Sequence, residues 1–216
     1  MLEKHKEELP KDNIFMYCEK INVKALRQMP EGYYIRNLLK EELEIWKSLP
    51  FDNNYKETYK EIMDNYYDNI YRLKENIFYN NCKVVCNDKN EIIGSCFLWK
   101  FYDIINTLHW LKIKNEYENL GIGKGLISKL VENLNNDDFP IFLHTQPESF
   151  RAIKLYSDFG FKIAKNNKIG KRLTNINECL PKLKENIPEE YFKNIEYGYI
   201  PNKYLKIIEE NNINDF

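Results

Sequence analysis

Apolar positions along this chain recur with two spacings, and these predict an alternation of strands and helices. Ile14 to Cys18 is a short apolar run of strand length, followed by a helical turn from Val23 to Gln28 that Pro30 stops. After the turn at Glu31 and Gly32, an extended segment from Tyr33 to Arg36 leads into a helix from Lys40 to Leu49, ended by Pro50. Tyr55, Tyr59, Ile62, Tyr66, Ile70 and Leu73 then repeat at intervals of three and four, which predicts one amphipathic helix from Tyr55 to Leu73. Its tyrosine stripe, also including Tyr67 and Tyr71, reads as core, with a border of an acceptor pocket as the alternative.

Lys83 to Cys86 and Ile92 to Phe101 flank a turn at Asp88 to Asn90 and predict a hairpin. Thr107 to Ile113 is apolar on both alternating faces except at His109 and Lys112, as expected of a central strand covered on both sides. Past it come a glycine-rich loop (118–125), a helix to Asn135, a strand Pro140 to Thr145, and a helix Ser149 to Phe159 closed by Gly160. Phe161 to Ala164 starts another strand, and residues beyond Pro181 read as a helical tail. Strands alternating with helices predict an α/β layer arrangement.

Composition narrows the class. With 216 residues, 43% of them hydrophobic and 14% aromatic, the chain can fill one ordinary core, so a single domain over 1–216 is expected. The 32 Lys and Arg against 33 Asp and Glu leave a net charge of -1, so no global field draws the chain to nucleic acid or an anionic membrane. No apolar stretch approaches the roughly 20 residues of a spanning helix. Met1 to Pro10 is charged and lacks a secretory signal pattern, so a cytoplasmic location is expected. The cysteines (Cys18, Cys82, Cys86, Cys96, Cys179) are odd in number and scattered, which fits reduced thiols. Cys82 and Cys86 lack partners at zinc-ligand spacing, and no metal is expected.

The loop Glu118-Asn119-Leu120-Gly121-Ile122-Gly123-Lys124-Gly125 leaves a strand and enters a helix, where free amides and the helix dipole converge. Glycines at 121 and 123 let the backbone close on a diphosphate, and Lys124 adds positive charge. A nucleotide-bearing cofactor fits such a point. A P-loop needs Ser or Thr after its Lys, whereas Gly125 follows Lys124; a dinucleotide fingerprint needs Gly-x-Gly-x-x-Gly after a first strand, and the spacing here is Gly-x-Gly-x-Gly, late in the chain.

These residues resemble the GNAT superfamily of acyl-CoA-dependent N-acyltransferases. Its Arg/Gln-x-x-Gly-x-Gly/Ala signature is similar to Glu118-Asn119-Leu120-Gly121-Ile122-Gly123, with Glu118 at the Arg/Gln position. A second signature, Asn-x-x-Ala-x-x-Leu-Tyr-x-x-x-Gly-Phe, is matched from Ser149 to Phe161, with Ser149 in place of Asn. The resemblance implies an α/β (α+β) GNAT fold: a central mixed, mostly antiparallel sheet flanked by helices. Its core spans about 32–164, with an N-terminal extension (1–31) and a C-terminal strand and helical tail (165–216).

It further implies acetyl-CoA as cosubstrate and a primary amine as acceptor, joined by direct attack in a ternary complex, with the protein a monomer or homodimer. In this fold the strand at Leu111, Lys112 and Ile113 splays from its neighbour, so its backbone amides are expected to bind pantetheine and polarise the thioester. Glu118, Asn119, Leu120, Gly121, Ile122, Gly123 and Lys124 are expected to line the diphosphate, with Ala152 beside the cofactor. Tyr156 falls on the family's tyrosine and is the expected general acid, or else an aromatic packing its helix on the sheet. Ser149 either bonds pantetheine or caps its helix.

Many members carry Glu where this chain has Thr107, so the base has to come from elsewhere. His109, two residues on and on the same strand face, titrates near neutrality and is the candidate; a hydrogen-bonded core histidine, as for His144, or a water relay are the alternatives. The departures at Thr107, Glu118 and Ser149 leave room for a non-catalytic acyl-CoA sensor.

Overall fold

A computed structural model describes residues 13–54, 56–101 and 103–211 of the chain. In order, the elements are β1 (Ile14–Cys18), β2 (Tyr34–Asn37), α1 (Leu43–Ser48), α2 (Glu57–Tyr66), α3 (Glu75–Asn81), β3 (Lys83–Cys86), β4 (Ile92–Phe101) and β5 (Ile105–Ile113). There follow α4 (Ile122–Val131), β6 (Ile141–Thr145), α5 (Phe150–Asp158), β7 (Lys162–Ala164), β8 (Lys168–Ile169), β9 (Arg172–Leu173), α6 (Ile176–Asn186), α7 (Glu189–Phe192), β10 (Tyr197–Gly198) and α8 (Asn202–Glu210). No described helix is long and apolar enough to cross a membrane.

The chain divides into two compact units. One takes the N-terminal stretch to Ala25, Lys100–Thr107 and the chain from Leu134 on; the other holds Leu26–Trp99 and Leu108–Asn133. In the first unit the strand order is β10-β7-β1-β6, followed by the start of β5. β1 is antiparallel to both β6 and β7, while β5 pairs parallel with β6 at Asn106 and Thr107, and β10 pairs parallel with β7. Every residue of β1 is buried, which is why its sequence is a continuous apolar run without alternation. Gly198 leaves room beside β10 for the Tyr17 hydroxyl, which donates to the Tyr199 carbonyl at 3.2 Å.

The second unit carries β2, β3, β4 and the end of β5, with β2, β3 and β4 paired antiparallel. Its core is aromatic: Trp46, Tyr67, Tyr71, Phe78 and Phe97 are all essentially inaccessible, and the Trp46 and Phe78 rings meet edge to face at 5.1 Å.

The pattern-based elements hold with instructive exceptions: the helix expected to reach Asn135 ends at Val131, and the helical turn expected from Val23 to Gln28 is a 3-10 turn over Val23–Ala25. Pro50 does not end helical structure: a 3-10 stretch (Leu49–Asn54) continues through it, since proline is tolerated in a first turn, and the break comes at Asp52. The expected helix from Tyr55 to Leu73 begins at Glu57, Tyr55 lying outside the described residues, and α2 gives way to a π turn (Tyr67–Tyr71) and a 3-10 turn (Arg72–Lys74). The wider turn rotates the apolar stripe, so Tyr67 and Tyr71 are both buried while Leu73 is 88% exposed. β5 is buried up to His109 apart from Asn106, and only half-buried from Trp110 to Ile113, so cover on both faces applies to its first part alone. The C-terminal part from 165 holds strands and helices, with the β8–β9 hairpin before Pro181; beyond Pro181, which stands inside α6, the expected helical stretch also contains the short strand β10.

Candidate acyl-CoA site

The glycine-rich loop folds as its residues require. A 3-10 turn (Asn115–Tyr117) leads to Glu118 in extended conformation, then Asn119 and Gly121 adopt left-handed backbones, with φ of 63° and 83°. Gly121 is the N-cap of α4 and offers no side chain to the first-turn amides, so its carbonyl accepts the first helical bond, from Gly125 N–H at 3.1 Å. Ile122 is buried and anchors the turn, whereas Asn119, Leu120 and Gly121 are exposed and Glu118, Gly123 and Lys124 half-buried. A Cβ on Gly125 would lie 2.9 Å from Met29 Cα, so α4 runs directly against the backbone at Met29. Arg27 N–H donates to Ser128 Oγ at 2.9 Å, and that hydroxyl donates to the Lys124 carbonyl at 2.7 Å. The start of the helix is thereby fixed, with uncapped amides and the positive end of its dipole open to an anion. This donor set suits a diphosphate.

In the same unit, β5 carries a break in its pleat. Trp110 has φ of 51°, a conformation that side chains other than Gly and Asn seldom take. Its carbonyl accepts from Ser95 Oγ at 3.3 Å. Gly94 on β4 permits the approach of the following residues: a Cβ there would lie 2.7 Å from the Lys112 carbonyl oxygen and 2.5 Å from Ile113 Cδ1. Lys114 N–H donates to the Ile93 carbonyl at 2.8 Å. Leu111, Lys112 and Ile113 thus follow the kink at Trp110 on the half-buried end of β5. The Lys112 side chain turns to Asp52 Oδ2 at 2.6 Å and Asn115 Oδ1 at 3.1 Å.

His109 is 6% exposed, with Nδ1 2.5 Å from the Tyr71 hydroxyl. Burial lowers its pKa to about 3, so the ring is neutral around pH 7 and a weak base. Burial likewise pushes the Tyr71 hydroxyl well above its ordinary range.

Ser149, Ala152 and Tyr156 lie in the other unit. Ser149 closes a 3-10 turn (Pro147–Ser149) before α5 and makes no side-chain cap there, while Ala152 is half-buried. Tyr156 is 7% exposed, with its ring 5.7 Å from that of Phe161. Helix α5 ends as its sequence predicts: Gly160 has φ of 95°, and Asn22 N–H donates to the Phe159 carbonyl at 3.0 Å. His144, also in this unit, donates from Nε2 to Asn13 Oδ1 at 2.6 Å, and burial with nearby Arg172 lowers its pKa to about 3.

Ser95 and Asp52, which touch the β5 bulge or its side chains, carried no sequence signal, whereas Tyr71 stood in the tyrosine stripe that reads as core. Gly94 carried one: an isolated glycine inside a strand marks a close backbone approach.

The model of the acetyltransferase (GNAT) family matches residues 35–161. The chain belongs to that family. Comparison with curated proteins finds no match. Among solved structures, a GNAT-family acetyltransferase from Colwellia psychrerythraea is 16% identical with a TM-score of 0.51, the match covering 71% of this chain and 53% of that one. A GNAT-family acetyltransferase from Staphylococcus aureus is 20% identical with a TM-score of 0.43, over 58% of this chain and 81% of that one. A Pyrococcus horikoshii protein is 19% identical with a TM-score of 0.39, and the chain spans 36% of its length. The Colwellia likeness shows the GNAT fold, a mixed, mostly antiparallel sheet flanked by helices, and the family's chemistry is acyl transfer from an acyl-CoA.

Proposed function

We propose that the protein is an N-acetyltransferase that moves an acetyl group from acetyl-CoA to a primary amine by direct attack in a ternary complex. The observation that carries this reading is the start of α4, where Gly121 at φ 83° presents uncapped first-turn amides on a rigidly held helix. In this reading the amides from Gly121 to Lys124, with Glu118, Asn119 and Leu120 bordering them, receive the diphosphate. The backbone at Leu111, Lys112 and Ile113 polarises the thioester carbonyl, and Ser149 and Ala152 border the pantetheine arm. The free amine attacks the carbonyl carbon, the N–C bond forms and the C–S bond breaks; Tyr156 Oη gives its proton to the departing thiolate, and the proton that the new amide nitrogen sheds passes through water to restore the phenol.

The ammonium of the acceptor must lose its proton first. His109 on its own is poorly matched to that task, because burial weakens it as a base and its Nδ1 is engaged by Tyr71. A water relay carries the proton in this scheme, and His109 serves the strand that holds the thioester.

The test is thiol release from acetyl-CoA across a panel of primary amines. Tyr156→Phe is expected to lower kcat by roughly tenfold or more, with acetyl-CoA affinity little changed, because the hydroxyl acts where thiolate charge develops. An unchanged kcat removes the general-acid role. The buried, engaged state of His109 also favours a second reading, a non-catalytic acyl-CoA sensor. Calorimetry separates the two: acetyl-CoA binding without acceptor-dependent thiol release selects the sensor, and no binding defeats both.

A further inference from the structure

Consecutive side chains of a regular strand leave by opposite faces, so His109 and Trp110 should not share a partner. They do: the Tyr71 hydroxyl oxygen lies 2.5 Å from His109 Nδ1 and accepts from Trp110 Nε1 at 3.0 Å. The sharing is possible because Trp110, at φ 51°, breaks the alternation one residue before Leu111. Indole N–H can only donate, so the Tyr71 oxygen accepts there, while the hydroxyl is also within hydrogen-bond distance of the imidazole nitrogen and of Tyr66.

Tyr71 is itself placed with care. It ends the π turn (Tyr67–Tyr71), a departure from α geometry that recurs at functional sites, and it is completely buried. Its ring meets Phe97 at 5.4 Å and Trp99 at 5.0 Å edge to face and stacks on Phe78 at 4.9 Å, which fixes the direction of the hydroxyl. Ser95 holds the Trp110 carbonyl from β4, and the absent Cβ of Gly94 admits the Lys112 carbonyl.

We propose that Tyr71 is a positioning residue for acyl transfer: its hydroxyl clamps His109 and Trp110 together, fixes the β5 bulge, and thereby sets the direction of the backbone groups at residues 111–113. The inference rests on the reading in which those groups polarise the thioester. It assigns His109 a role as one half of the clamp.

Tyr71→Phe removes only the hydroxyl. Tyr67→Phe is the matched control, since Tyr67 is equally buried in the same π turn but its hydroxyl donates to Glu75 Oε1 at 3.0 Å, away from β5. Amide exchange in the peptide 108–114 is expected to quicken about tenfold in Tyr71→Phe and to stay within about twofold in Tyr67→Phe. With wild type active, Tyr71→Phe should also lower kcat about tenfold while the KM for acetyl-CoA stays within about threefold. Trp110→Phe, which removes the indole donor, should reproduce the faster exchange and serves if Tyr71→Phe does not fold. Equal exchange in the Tyr71 and Tyr67 variants, or wild-type kcat in Tyr71→Phe, overturns the proposal. Absence of thiol release by wild type with every amine defeats the acyl-transfer reading instead, and exchange still decides the clamp.

Discussion

Asp52 holds Lys112 through one carboxylate oxygen at 2.6 Å, while its other oxygen is buried without a hydrogen-bond partner among the described residues. The residue has φ of 48° and ψ of -128°, a backbone that glycine takes freely and other residues only under strain. An ion pair, an orphaned oxygen and a strained backbone thus coincide at one position beside β5. Asp52→Gly and Asp52→Ala both remove the pair with Lys112, but only alanine retains the backbone strain. Asp52→Gly is therefore expected to be more stable than Asp52→Ala by about 1–2 kcal/mol, the reverse of the usual order. Urea denaturation of the two variants measures the difference directly, and equal midpoints would mean that the segment relaxes.

Gly94 and Gly32 separate steric overlap from backbone strain. A Cβ at Gly94 would press on the Lys112 carbonyl oxygen at 2.7 Å, a backbone atom that cannot swing aside. At Gly32 a Cβ meets nothing within 4 Å, and the cost lies in its φ of 86°. Each alanine variant should lose about 1–3 kcal/mol of stability. Only Gly94→Ala should also slow acetyl transfer, because only it displaces residues 111–113. Equal rates in both variants would detach the bulge from the chemistry.

Gly121→Ala asks whether the start of α4 receives the diphosphate. The added Cβ would stand 3.6 Å from Pro30 Cγ, an ordinary contact, so the fold should survive with a strain cost of about 1–2 kcal/mol from the φ of 83°. The methyl group would stand where the anion approaches the amides. Acetyl-CoA affinity is expected to fall about tenfold by calorimetry, roughly the value of a good charge-assisted contact at a helix start. Wild-type affinity in a folded variant would place the diphosphate elsewhere.

Strands and most helices were legible because their burial pattern is local: the apolar run of β1, the hairpin of β3 and β4, and the Gly160 stop of α5 each state their structure within a few residues. The loop at Gly121 was legible for the same reason, since a left-handed N-cap demands glycine. What escaped depends on partners distant in sequence. The stripe of α2 predicts one straight helix, and the π turn that buries Tyr71 follows from packing against Phe97 and His109. The positive φ of Trp110 has no signature either, because tryptophan is not a residue that chooses it; contacts with Tyr71 and Ser95 hold it there. His109 read as a candidate base because an unperturbed imidazole titrates near neutrality, and the burial that lowers its pKa is a property of the folded unit alone.

That burial has a measurable consequence for stability. His109 and His144 both have pKa values lowered to about 3, against about 6.5 in an unfolded chain. Between those limits the unfolded chain binds a proton at each site that the folded protein does not, so stability rises with pH. The contribution is complete above about pH 6.5 and is lost as pH falls toward 3. Each histidine adds a slope of at most about 1.4 kcal/mol per pH unit. Glu42, held below its usual range by Arg36, adds to acid lability only at lower pH, so the interval from 6.5 to 5 isolates the histidines. Over that interval the stability from urea unfolding should fall with an uptake approaching two protons, and His144→Asn should reduce it by about one. A flat profile would show that the folded protein protonates these rings as readily as the unfolded chain, which would return His109 to the list of possible bases.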